Sequence, residues 1–213
     1  DGKADAFLDA WLPTTHDAFL RQHEGKLVEV AVNYAGARVG LVVPAFVTID
    51  SIHQLGPNKE AFGGDILTVD PESGVGAMTD SVIERYKLEY EPLEVTSAAA
   101  MSALREAVAT ERWIVLTGWQ PHPMFDLFAV KFLIDTLCIY ATTENIHTVA
   151  RKDLDSDKPE VYQFLRAFQL TSEQLGSLMR MIADPAAASP EEEARAWAVL
   201  NRDAVDAWIP AGP

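Results

Sequence analysis

Hydrophobic and polar positions follow two different periods along the chain, and this predicts strands interleaved with helices up to about Asp157. Alternating or continuous apolar runs predict strands at ADAFLDAW, KLVEVAVNY, ARVGLVVPAFV, GGDILTVD, YEPLEVTS, RWIVLTGW, FLIDTLCIYA and NIHTVARKDL. Apolar residues at helical spacing predict helices at THDAFLRQHEG, TIDSIHQL, GVGAMTDSVIERYKL and SAAAMSALREAVATE, the last capped by Ser97. QPHPMFDLFAV predicts a proline-rich turn.

The pattern changes after Asp157, where three helices are predicted in succession. They are DKPEVYQFLRAF, TSEQLGSLMRMIAD and SPEEEARAWAVLNRDAVDAWI. Each begins with residues that favour a helix start: Pro159 in the first turn, Thr171 with Gln174 as a capping box, and Ser189 before proline and three glutamates. Strands alternating with helices predict an α/β sheet, with the helical C-terminal region packed over it.

Two of the five tryptophans stand where a predicted strand ends. Trp11 lies in DAWLPTTH and Trp119 in TGWQPHP, each just before a proline. The other three, Trp113, Trp197 and Trp208, lie within predicted elements and are expected to be structural. A third irregular stretch, TVDPESG, also follows a strand. In open α/β sheets, ligands bind beyond the carboxyl ends of strands, so these stretches predict a binding site.

The residue types at these strand ends predict a ligand with a cationic and an anionic end. Facing indoles attract a quaternary ammonium through cation–π contacts. The DPESGVG loop opens a helix, so its backbone amides and the helix dipole can hold an anion. His16, five residues after Trp11, could add a side-chain donor, although a surface or capping histidine is the competing interpretation.

Composition and charge exclude several other functions. The net charge of -15 repels phosphate backbones and anionic membranes, so no nucleic-acid partner is expected. The single cysteine, Cys138, allows no internal disulfide and is expected to be a buried thiol. No residue spacing indicates a metal site or a hydrolase nucleophile, and no cofactor is predicted. An alternative remains: a small acid/base enzyme using His122, Glu144 and His147.

Five motifs, in order over almost the whole chain, resemble the glycine betaine/choline-type substrate-binding proteins of ABC importers. They are DAWLPTTH, GARVGLVVP, TGWQPHPMF, ENIHTVARKDL and DAWI. The resemblance implies a two-lobed periplasmic-binding-protein fold of type II that closes on its ligand about a hinge. It implies lobe 1 at residues 1–40 and 142–213, lobe 2 at residues 41–141, and crossovers near GLVVPA and TENIHTVA.

The resemblance also assigns site residues and partners. Trp11 and Trp119 match tryptophans that form walls of the cage, and His16 matches a histidine that contacts the ligand carboxylate in some relatives. Thr68 and Val69 match a turn whose amides hold that carboxylate. The implied ligand is glycine betaine, proline betaine, carnitine, choline or a related methylated amine, taken up as an osmoprotectant. The implied setting is extracytoplasmic, with a membrane permease as partner and no catalysis.

Three departures from the family pattern bear on these expectations. Pro123 stands where relatives often have an aromatic residue, and Glu72 places a negative charge near the expected carboxylate site. Relatives also carry a strand, a helix and a strand before the DAWLP motif, and the first of these strands ends in a further cage tryptophan. We expect that segment to be trimmed, permuted or supplied by another chain. An incomplete fragment with little ligand affinity is therefore a further alternative.

Overall fold

The structure is a computed structural model that describes residues 4–69, 74–140, 143–184 and 186–210. The strands are β1 (Ala6–Leu12), β2 (Leu27–Pro44), β3 (Asp65–Val69), β4 (Glu91–Val95), β5 (Leu116–Gln120), β6 (Val130–Phe132) and β7 (Glu144–Arg151). The helices are α1 (Asp17–Gln22), α2 (Lys59–Phe62), α3 (Gly74–Tyr86), α4 (Ser97–Ala109), α5 (Met124–Leu127), α6 (Leu154–Asp157), α7 (Pro159–Ala167), α8 (Ser172–Ala183), α9 (Pro190–Leu200) and α10 (Arg202–Trp208).

Backbone contacts divide the chain into two compact units. The first consists of Asp1–Ala37 and Glu144–Pro213, and the second of Arg38–Thr143. Two chain segments therefore connect the units, one within β2 and one just before β7. The predicted lobe boundaries, after residues 40 and 141, lie close to these points, and the predicted hinge and lobe closure stay predictions.

The first unit is built on an antiparallel sheet in which β7 lies between β1 and β2. Trp11 pairs with Ile146, and Val32 pairs with His147. Ala150, Leu154 and Leu165 form a buried cluster, against which Tyr162 and Phe164 pack from α7. Helix α7 has one apolar face and one charged face. Burial of the apolar face against the sheet stabilises the helix more than intrinsic helix propensity does.

The second unit has a mixed sheet in the order β2-β5-β3-β4, with β6 also paired to β2. β3 runs parallel to β4 and β5, whereas β5 runs antiparallel to β2. The core side chains come from β2, β3, α4 and β5, and they include Val42, Leu67, Leu104 and Leu116. Each of these side chains is at most 9% exposed. The parallel strands therefore end at one edge of this sheet, where Val69 and Trp119 are found.

Several local predictions were wrong or incomplete. KLVEVAVNY and ARVGLVVPAFV form one strand, because β2 pairs along its length with three other strands. The last predicted helix breaks at Asn201, which separates α9 from α10. FLIDTLCIYA contributes only Phe132 to a strand, and Cys138 lies exposed in a turn with φ of 51°, so the prediction of a buried thiol is wrong. Thr96, rather than Ser97, caps α4.

Candidate functional site

Trp11 lies near the end of β1 in the first unit, and its side chain is held by a neighbour on the same strand. Its indole Nε1 donates a hydrogen bond to Asp9 Oδ1 at 2.7 Å. Residues two apart on a strand share a face, so the sequence places this acceptor directly beside the indole. Trp11 is only 8% exposed. Its ring orientation is therefore fixed by packing and by one charge-assisted hydrogen bond.

The turn after β1 brings His16 back to Trp11 through two hydrogen bonds. The His16 amide donates to the Trp11 carbonyl at 2.9 Å, and the Trp11 amide donates to His16 Nδ1 at 2.9 Å. Because Nδ1 accepts, a neutral His16 ring carries its proton on Nε2. The structure thus brings these two predicted site residues together and leaves Nε2–H as the donor of the imidazole.

The His16 ring also packs edge-on against two phenylalanines of the first unit. Its centroid lies 6.2 Å from that of Phe7 and 6.0 Å from that of Phe19. All three rings line a groove of about 400 Å³ whose other walls include Leu20 and Leu27. Phe7 and Phe19 are each about half exposed, at 51% and 52%. This apolar surrounding restricts the imidazole to a narrow range of orientations.

Trp119 lies on β5 in the second unit, one residue before the strand ends. Its ring packs against the His122 ring in a T-shaped contact, with centroids 4.8 Å apart. His122 Nδ1 accepts a hydrogen bond from the Met124 amide at 3.1 Å, at the start of α5. Pro123 is the N-cap residue of α5, and this backbone position accounts for the proline. The sequence suggests His122 only for the acid/base alternative and does not predict this contact with Trp119.

Both tryptophans stand two residues before a proline that follows a cis peptide bond. These bonds are Leu12–Pro13 and Gln120–Pro121. β1 and β5 end at the residue before each proline. The strand ends predicted from the two proline-containing motifs are thus present in both units.

Thr68 and Val69 lie at the end of β3 and are buried, at 2% and 7% exposure. The Val69 amide donates to Thr117 Oγ1 at 3.0 Å, and the Thr68 hydroxyl donates to the Ile66 carbonyl at 3.3 Å. The Val69 amide could therefore serve a ligand only by exchanging its bond to Thr117. The predicted charge at Glu72 lies outside the described residues, so the role of this turn stays a prediction.

The groups of the acid/base alternative each have a separate local partner. Glu144 is fully buried and accepts hydrogen bonds from Thr14 and Thr15. His147 Nδ1 lies 2.9 Å from Glu29 Oε1. Over residues 4–69, 74–140, 143–184 and 186–210, no group of three or more His, Cys, Asp or Glu side chains could hold a metal ion. Within the same residues, no helix has the length and apolar character needed to cross a membrane.

Burial lowers the pKa of His122 below its ordinary value of 6.5, because the charged imidazolium is poorly solvated there. The unfolded chain therefore binds a proton near pH 6.5 that the folded chain binds only at lower pH. Protonation would also remove the acceptor for the Met124 amide. Folding stability contributed by neutral His122 is thus present above pH 6.5 and lost as the pH falls through the folded pKa.

We expect the melting temperature of the wild-type protein to fall between pH 7.5 and pH 5.5, and His122→Asn to reduce that fall. Asparagine does not titrate, and its side-chain oxygen can accept from the Met124 amide. Calorimetric melting curves at both pH values would measure the difference. The lowered pKa of Asp5, caused by hydrogen bonds from Arg151 and Lys158, acts only at more acidic pH. Equal pH dependence in both proteins would contradict the assignment.

Comparison with known proteins decides the family. Residues 1–199 match the family described as the substrate-binding domain of ABC-type glycine betaine transport systems. The chain belongs to this family. It is 40% identical over 146 residues to the glycine betaine/carnitine transport binding protein GbuC of Listeria monocytogenes. That match covers 67% of this chain and 48% of GbuC, so the chain spans about half the length of this relative.

Three solved structures of substrate-binding proteins agree with the fold. ProX of Borrelia burgdorferi, a glycine betaine/L-proline-binding protein, matches with a TM-score of 0.91 and 27% identity, over 98% of this chain and 79% of its own. Lactococcal OpuAC, closed on glycine betaine, matches with a TM-score of 0.90 and 32% identity, over 98% and 81%. A choline-binding protein at 22% identity shares the fold, with a TM-score of 0.86. The predicted two-lobed, type II periplasmic-binding-protein fold is confirmed.

Proposed function

We propose that this chain captures glycine betaine, or a related quaternary or methylated amine, as the extracytoplasmic binding component of an ABC importer. The observation that carries the proposal is the pair of fixed tryptophans. Trp11 and Trp119 each lie one residue before the end of a strand, one in each unit, at the two positions where the family resemblance assigns cage walls. Each ring is held in place by its own neighbour, Asp9 or His122.

The chemistry of the proposed site matches the two ends of a betaine. Indole faces attract a quaternary ammonium, and such contacts are worth up to about 2 kcal/mol each when water is excluded. His16, with Nδ1 bound to the Trp11 amide, presents Nε2–H as a donor for the carboxylate. Neither contact breaks or forms a covalent bond. The function is therefore binding followed by delivery to a membrane permease, in the periplasm or at the cell surface.

Calorimetric titration with glycine betaine and with choline tests the proposal directly. We expect saturable binding of at least one of these ligands without any change in its covalent structure, which mass spectrometry of the recovered ligand would verify. A rise in melting temperature with ligand concentration would support the same result. No heat and no thermal shift at millimolar concentrations would refute the proposal and support the alternative of a fragment with little affinity.

His16→Ala is expected to weaken glycine betaine binding about tenfold or more and to leave choline binding nearly unchanged. A hydrogen bond to a charged group contributes roughly 1.5–3 kcal/mol. Choline has no carboxylate, so it makes no such bond to His16 and its affinity should not change. Titration calorimetry with both ligands measures the two affinities. His53→Ala, in the second unit beside Tyr86, is a suitable control. Equal losses for both ligands would show that His16 does not contact the carboxylate.

A further inference from the structure

The carboxyl group of Glu144 is fully buried, and within the described part of the chain its hydrogen-bond donors lie in the turn that follows β1. Glu144 is the first residue of β7 and has an exposure of 0%. Its Oε1 accepts from the Thr14 amide at 2.9 Å and from the Thr15 amide at 2.7 Å. Its Oε2 accepts from the Thr15 hydroxyl at 2.5 Å. A buried carboxyl group is expensive unless hydrogen-bonded, and here three donors come from two consecutive residues.

The same turn is closed on its other side by the two hydrogen bonds between Trp11 and His16. Thr15 therefore lies between two fixed points: its own amide and hydroxyl are bound to Glu144, and the next residue is bound to Trp11. Thr15 itself is 8% exposed, so little room exists for another conformation. Removing the Glu144 carboxyl group would leave the Thr14 and Thr15 amides without this acceptor, and the turn would have to rearrange to find another.

We propose that Glu144 is a positioning residue for ligand binding. It holds the Thr14–Thr15 turn, so that His16 Nδ1 keeps its hydrogen bond from the Trp11 amide. In this arrangement the imidazole presents Nε2–H, whereas the Trp11 indole is held separately by Asp9. The inference deepens the proposed function and rests on it where ligand affinity is concerned. It also makes a claim about the free protein, because the hydrogen-bonding state of His16 is set by the turn whether or not a ligand is bound.

Glu144 also lies where the chain re-enters the first unit. It is the first residue of the first unit after the chain returns from the second unit, which ends at Thr143. The turn that carries His16 is thus tied to one of the two connecting segments. Two other buried threonine hydroxyls show the contrast: Thr79 bonds to Tyr140 and Thr148 bonds to Asn33, and neither bonds to a carboxyl group.

Five variants separate positioning from simple support of the fold. Thr15→Val removes the hydroxyl and keeps the shape, and Thr15→Ser restores the hydroxyl. Glu144→Gln keeps all three bonds, because its oxygen accepts both amides and its NH₂ donates to Thr15 Oγ1. Thr79→Val is the matched control, since it removes another buried threonine hydroxyl, in the second unit. Glu144→Ala removes every contact, and Thr15→Val keeps the test valid if Glu144→Ala does not fold.

Two measurements are made on each variant: calorimetric affinity for glycine betaine and choline, and the ¹⁵N resonances of the His16 ring in the free protein. We expect Thr15→Val to weaken glycine betaine binding about fivefold or more, with a smaller loss for choline. We also expect its Nδ1 resonance to shift away from that of an unprotonated acceptor. Thr15→Ser and Glu144→Gln should keep the wild-type affinities and the wild-type His16 resonances. Thr79→Val should lower only the melting temperature.

Three outcomes would overturn the proposal. One is a folded Thr15→Val or Glu144→Ala variant with wild-type His16 resonances. Another is an equal loss of affinity for both ligands in those variants. The third is a Glu144→Gln variant that binds as poorly as Glu144→Ala, since charge rather than hydrogen bonding would then matter. If the wild-type protein binds neither ligand, the proposed function fails, and the ¹⁵N spectra alone still decide whether Glu144 positions His16.

Discussion

Trp119→Ala is expected to weaken glycine betaine binding tenfold or more without unfolding the protein. The Trp119 ring is only partly buried and packs against His122, so its loss should affect the proposed cage more than the core. A desolvated cation–π contact is worth up to about 2 kcal/mol, and each 1.4 kcal/mol changes affinity tenfold. Isothermal calorimetry is the appropriate measurement, because the substitution itself alters tryptophan fluorescence.

Matched variants distinguish a cage wall from a general packing defect. Trp119→Phe keeps an aromatic face and should lose less affinity than Trp119→Ala. Trp113→Phe, which alters an indole packed on Phe62 in the same unit, should bind like the wild-type protein. Trp11→Ala should match Trp119→Ala in affinity but should also lower the melting temperature, because Trp11 is 8% exposed. Wild-type affinity in both alanine variants would exclude the cage.

The strand ends that carry the tryptophans could be predicted because their signals are local. In DAWLPTTH and TGWQPHP an apolar run stops at a proline, and β1 and β5 end at Leu12 and Gln120 as expected. Proline removes a backbone donor and restricts the residue before it, so such a break is visible without knowledge of the partner strand. The same reasoning placed the start of α8 at Thr171, whose capping box with Gln174 is present.

Elements that depend on distant partners could not be predicted in the same way. β2 continues through Gly36, a position that locally indicates a turn, because β7 and β5 supply paired strands on either side of it. The break at Asn201 lies inside a pattern that remains helical on both sides. Cys138 sits in an apolar run, yet Asp135 binds the Leu137 and Tyr140 amides and folds this segment into a turn. Local periodicity contains none of this information.

In the candidate site, too, the sequence predicts the identity of the residues but not their geometry. The residue types at Trp11, His16 and Trp119 predicted a ligand chemistry, but not which imidazole nitrogen faces outward. That is set by the Trp11 amide, which reaches His16 Nδ1 only after the turn has formed. Glu144 was considered only as an acid or base, since its partners lie 129 and 130 residues away in sequence. Buried polar partners at such separation require the three-dimensional structure.

Gly118→Ala is expected to destabilise the second unit by about 1–3 kcal/mol, the usual range for overpacking a core. Gly118 lies beside Trp119 on β5 and pairs with Gly40 on β2. A Cβ atom there would lie 2.5 Å from Val42 Cγ2 and 3.3 Å from Val42 Cβ. Val42 is fully buried, and a β-branched side chain has few alternative rotamers, so it cannot turn away cheaply. The free energy of unfolding from urea titration measures the loss.

A double-mutant cycle with Val42→Ala tests whether this single contact is the cause. Val42→Ala alone leaves a cavity and should also destabilise the protein. In the double variant the new methyl group occupies part of that cavity, so the combined loss should be smaller than the sum of the single losses by about 1 kcal/mol or more. Gly56→Ala, where an added Cβ has no neighbour within 4 Å, should be nearly neutral. Additive losses would mean that Gly118 is required for another reason, such as the backbone path that places Trp119.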